Sequence, residues 1–102
     1  MNKNELLDII GEGINFSDDV TFDRCHERRA NYAGLENRLE KALEEVKTIQ
    51  EKPDYIGISK DEAIDIITDA IEYTKEIRDY NHSDYAGIGD RLYDCINFIE
   101  EN

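Results

Sequence analysis

The chain has 102 residues, 36% of them charged and 39% apolar, with 25 acidic against 12 basic side chains and a formal net charge of −13. That length suits one domain spanning 1–102, and the mixture is too apolar for plain disorder and too polar for a membrane span of about 20 apolar residues. So negative a field excludes a general hold on a DNA or RNA backbone unless a local basic exception supplies it.

The opening, Met1-Asn2-Lys3-Asn4-Glu5, lacks the apolar core of a secretory signal, so the expected setting is cytoplasmic, in a bacterial cell or a phage-infected host cell. A first helix is expected from about residue 3. Gly11 and Gly13 weaken it by roughly 1 kcal/mol each relative to Ala. Ser17-Asp18-Asp19 is a cap signal and predicts a separate short helix near 18–29. This stretch holds Cys25, whose only companion is Cys95, 70 positions away. Two reduced thiols are expected; the spacing also permits a disulfide, but no Cys/His pattern suits a structural zinc.

Asn31 is the expected N-cap of the next helix, whose buried face reads Leu35, Leu39, Ala42, Leu43, Val46 and Ile49. Heptad spacing also runs back through Tyr32, Arg28 and Cys25, so a single long helix across Asn31 is the competing expectation. Pro53, the only proline, ends this element within a linker at 51–58. Ser59 and Glu62 form a capping box that starts a helix near residue 60. Its apolar positions are Ala63, Ile64, Ile67, Ala70, Ile71, Thr74 and Ile77. Asn81-His82-Ser83 interrupts the pattern, and Asp84 is the expected cap of a last helix burying Ile88, Leu92, Cys95, Ile96 and Ile99.

Self-similarity organises these elements. Residues 4–14, NELLDIIGEGI, are echoed by 61–71, DEAIDIITDAI; residues 31–39, NYAGLENRL, by 84–92, DYAGIGDRL; and Asp23-Arg24-Cys25-His26 by Asp79-Tyr80-Asn81-His82. The expected fold is therefore all-α: a four-helix bundle from a duplicated helical hairpin with pseudo-two-fold symmetry. Repeat 1 covers about 3–50 and repeat 2 about 59–101. Exposed apolar stripes on such a scaffold would also allow a homodimer.

Charge is distributed unevenly over the copies. Residues 1–50 carry 7 basic and 11 acidic groups, net −4, whereas residues 51–102 carry 5 and 14, net −9. On the 60–80 helix, Asp61, Asp65, Asp69, Glu72, Glu76 and Asp79 fall within an arc of about 80° at 100° per residue. Like charges three or four residues apart cost a few tenths of a kcal/mol per pair. Such a row can stand in for phosphates in a basic groove, with Tyr73 and Tyr80 as rim anchors. The expected function is thus non-enzymatic: binding and blocking a basic, nucleic-acid-handling protein. The analogy is with anti-restriction, anti-CRISPR and nuclease-immunity proteins, with no direct contact to nucleic acid, no membrane and no cofactor.

Two alternatives come from other classes. Asp23/His26 and Asp79/His82 are Asp-x-x-His pairs, and helical bundles use acid-x-x-His pairs to hold paired metal ions. The cluster Arg24, Arg28 and Arg29 could pair a nucleotide or other phosphate ligand in an oligomer. No serine–histidine–acid set, phosphate loop or nucleophile motif is readable, so catalysis is not expected.

Overall fold

Four helices follow one another: α1 (Lys3–Thr21), α2 (Leu35–Lys47), α3 (Lys60–Tyr80) and α4 (Ile88–Glu101). They come from a computed structural model that describes residues 1–21, 32, 34–80 and 87–102, with backbone alone at 21 and 78–80. Among the described residues the regular structure is entirely helical, so the chain is an all-α four-helix bundle.

Local chemistry explains most of the boundaries. At the start of α1 the Glu5 amide donates to Asn2 Oδ1 at 2.8 Å, and Asn2 Nδ2 donates back to Glu5 Oε1 at 3.2 Å. This reciprocal cap satisfies an otherwise orphaned amide. The predicted capping box holds: the Glu62 amide donates to Ser59 Oγ at 3.1 Å, and α3 begins at Lys60. At the other end of the linker, Lys60 Nζ donates to the carbonyls of Lys47 and Ile49 at 3.1 and 2.9 Å. A cation at the carbonyl of Lys47, the last residue of α2, also opposes the negative end of its dipole.

Three local expectations are corrected. The break at Ser17 does not occur, because α1 continues to Thr21. Ser17 and Asp19 are buried there instead of capping locally; a Cβ placed on Gly89 of α4 would sit 3.1 Å from Ser17 Oγ, and Asp19 accepts a hydrogen bond from the Tyr32 hydroxyl. The remainder of the predicted short helix, 22–29, lies outside the described residues, as does Cys25. The caps at Asn31 and Asp84 also fall outside them, and α2 and α4 begin further along, each preceded by a left-handed glycine: Gly34 at φ 79° and Gly87 at φ 75°. A residue with a Cβ pays roughly 1–2 kcal/mol in that conformation. Gly34 likewise rules out one α-helix running from Cys25 through Leu39.

Contacts fix the topology. Lys3 reaches the Glu100 carbonyl, and a Cβ on Gly13 would meet Leu92 Cδ1 at 3.2 Å, so α1 and α4 are antiparallel. Arg38 bonds Glu12, Lys75 Nζ lies 3.9 Å from Glu36 Oε1, and Arg91 Nη2 lies 2.7 Å from Asp69 Oδ2. These pairs run antiparallel too, giving an up-down-up-down bundle in which α1 and α3 each pack on α2 and α4.

Several buried positions match between the two sequence copies, although the buried Phe98 of α4 stands where α2 has the partly exposed Glu45. Ile10 and Ile67 are both fully buried, as are Leu39 with Leu92 and Val46 with Ile99 at 1% or less. Phe16 and Tyr73 are equally enclosed, and so are Ser17 and Thr74. The salt bridges repeat as well: Arg38–Glu12 ties α2 to α1 where Arg91–Asp69 ties α4 to α3, and these are matching positions of the two sequence copies. Ile64, Ile77, Leu43, Ile49 and Ile96, expected in the core, are only partly buried at its margin.

Candidate partner-binding surface

The acidic row on α3 begins as the sequence places it. Asp61 and Asp65 are exposed, one turn apart, on the side of α3 away from Ala63, Ile67 and Ala70. Further along, the helix bends the row to internal use. Asp69 receives the Arg91 guanidinium from α4, and Glu72 shares Lys75 with Glu36 of α2, at 3.6 and 3.9 Å. Glu76 is partly buried. Asp79 belongs to the last turn of α3, and its side chain, like that of Tyr80, lies outside the described residues.

Tyr73 is not a rim anchor. It is 7% exposed and packs edge-to-face on Phe16, ring centroids 5.6 Å apart at 87°, while Phe16 also meets Tyr32 at 5.1 Å and 75°. The buried arc is wider than the seven positions expected, since Ile66 and Tyr73 are buried as well, Tyr73 against Phe16 of α1.

A second acidic surface was not singled out from the sequence. On α4 the side chains of Asp90, Tyr93, Asp94, Asn97, Glu100 and Glu101 are exposed, with Tyr93 at 55%. The signal was available by comparing the copies. Lys41 and Lys47 of α2 correspond to Asp94 and Glu100 of α4, and Glu40 corresponds to Tyr93, so the second copy exchanges two cations for two carboxylates and adds an exposed ring.

Among the described residues, no group of three or more His, Cys, Asp or Glu side chains could hold a metal ion. Asp23, His26 and His82 of the expected metal pairs, and Arg24, Arg28 and Arg29 of the basic cluster, lie outside those residues. No helix among them is long and apolar enough to cross a membrane. Comparisons with family models, curated proteins and solved structures find no match.

Cys95 is enclosed between α4 and α3, its Sγ 3.7 Å from the Ala63 carbonyl. Burial pushes its thiol up to about 12 from 9.0, with Asp94 adding to the rise and Arg91 opposing it. The folded chain therefore keeps a proton that the unfolded chain releases near pH 9. The stability this contributes is fully present below that pH and is lost as pH climbs toward 12, by at most about 1.4 kcal/mol per pH unit. Urea midpoints for the wild type should thus fall more steeply above pH 9 than those of Cys95→Ala. Equal slopes would show that the thiol does not govern this alkaline loss.

Proposed function

We propose that this chain is a non-catalytic acidic helical protein that binds and blocks a basic surface of a nucleic-acid-handling protein. One observation carries the reading: among the described residues, four cations of the bundle are engaged within the fold. Lys60 caps α2, Lys75 lies between Glu36 and Glu72, Arg38 holds Glu12 and Arg91 holds Asp69. Asp61 and Asp65 on α3, and Asp90, Asp94, Glu100 and Glu101 on α4, remain turned to solvent on the copy whose net charge is −9.

Carboxylates three or four residues apart on a helix sit about 5–6 Å from one another, close enough to engage neighbouring phosphate-binding cations together. A surface of one sign speeds encounter with an oppositely charged partner and weakens as salt screens it, the Debye length being about 10 Å at 0.1 M. Affinity capture from host lysate at low and high salt, read by mass spectrometry, tests the reading. A basic nuclease or nucleic-acid-binding protein held at low salt and shed at high salt is the expected result. Recovery of the chain alone, or of a partner indifferent to salt, overturns it.

A further inference from the structure

The segment joining α2 to α3 and the outer face of α4 line an open groove of about 670 Å³, the segment contributing Asp54 and Ile56 and the helix Asp94, Asn97 and Glu101. Its size lies within the range of about 300–1,000 Å³ typical of binding pockets. The loop wall is held in place rather than loose. The Lys52 amide donates to Asn102 Oδ1 at 2.8 Å, the Tyr55 amide donates to the Lys52 carbonyl at 3.1 Å, and the Tyr55 ring rests edge-to-face on Phe98 at 5.7 Å and 79°. Gly57 leaves room for this ring, since a Cβ there would run into the Tyr55 ring and hydroxyl and displace them.

Between the anchors, Tyr55 and Ile58 pack against the core while Ile56 is turned out, 95% exposed. An isolated exposed isoleucine on a protein surface is ordinary. This one is held at the lip of a preformed groove whose charged lining is Asp54, Asp94 and Glu101 against Lys52 alone. Asp94 and Glu101 are seven residues apart on one helix face, about 10 Å along the axis. In the first copy the positions of Asp94 and Glu101 are held by Lys41 and Thr48, so that copy lacks this pair of carboxylates.

We propose that this groove docks a short extended segment of a partner protein in which lysine or arginine alternates with an apolar side chain. The cations would meet Asp94, Glu101 and Asp54, and the apolar side chain would cover Ile56. The charge part rests on the reading above; the apolar part does not. Burial raises the proton affinity of the Tyr55 hydroxyl, and the carboxylates of Glu101, Asp94 and Glu51 add to the rise. A wall already ordered lowers the entropy lost on docking.

The test is amide chemical-shift mapping on the isotopically labelled full chain with three blocked peptides: alternating lysine and leucine, lysine alone at equal charge, and alternating glutamate and leucine. The lysine–leucine peptide should shift amides at 52–58 and 94–101 saturably, and bind about tenfold more tightly than oligolysine, the worth of one covered aliphatic side chain. Ile56→Ser should erase that tenfold preference, and Asp94→Lys should weaken both basic peptides by about tenfold, as loss of a charge-assisted contact does. Both changes are on exposed side chains, so the fold persists. Equal binding of the two basic peptides, shifts spread over every acidic face, shifts that appear with protein concentration alone, or no shift at all would each overturn the groove. Shifts confined to 61–76 would overturn the groove while leaving the basic-partner reading in place.

Discussion

Replacing Phe98 by alanine should lower the unfolding free energy by about 3–5 kcal/mol, the usual range for a fully buried aromatic. Among the described residues, Phe98 is the largest side chain of those wholly enclosed. It sits where α4 meets the linker, under the Tyr55 ring, and its carbonyl accepts from the Asn102 side chain at 2.8 Å and from the Asn102 amide at 3.2 Å. Those bonds hold the end of α4 in place, so the walls of the void cannot easily close on it. The aromatic pair itself adds about 0.5–1.5 kcal/mol beyond buried area. A domain of this size is stable by about 5–15 kcal/mol in all, so the variant forfeits a large share of it. At about 4–8 °C per kcal/mol the melting temperature should fall by roughly 12 °C or more. Tyr93→Ala on the same helix, at an exposed position, should stay within about 0.5 kcal/mol. Urea unfolding followed by helical circular dichroism measures both, and similar losses for the two variants would refute this account of the core.

The elements that periodicity and caps specify were legible in the sequence. Ser59 and Glu62 mark the start of α3, and the spacing of Leu35, Leu39, Ala42 and Val46 marks the buried face of α2. What escaped depends on partners distant in the chain. Ser17 and Asp19 look like caps because their side chains can bond the local backbone; α1 continues past them because α4 and Tyr32 supply other surroundings. Gly34 and Gly87 stand at matching places of a repeated block, but only their left-handed conformation marks them as the residues that precede α2 and α4. Tyr73 reads as a rim anchor beside the acidic row, and it is Phe16, from another helix, that makes it part of the core. The acidic row was legible as a pattern but not as a surface, because Arg91 comes from another helix to take Asp69.

That last distinction sets the charge-reversal experiment with the largest expected effect on binding. Asp61→Lys combined with Asp65→Lys should abolish salt-sensitive capture of the basic partner. Two exchanges of −1 for +1 move the net charge from −13 to −9. They also set like charges against like, which costs several kcal/mol at an interface. Asp69 and Glu72 make poorer probes, since reversing them also strands Arg91 or crowds Lys75, and a loss of binding would then mix with a loss of structure. The fold should tolerate the chosen pair. A lysine in the first turn of α3 opposes the helix dipole by about 0.3–1 kcal/mol, while relief of carboxylate repulsion returns a few tenths. The decisive companion is Asp8→Lys with Glu40→Lys, exposed positions on α1 and α2 that reach the same net charge without touching α3. Capture lost by the α3 pair and kept by the companion would assign recognition to the outer face of α3. Equal loss in both would assign it to the bulk field of the molecule. Capture kept by the α3 pair would remove that face from the interface and leave α4 and its groove as the acidic surface to which a basic partner could bind.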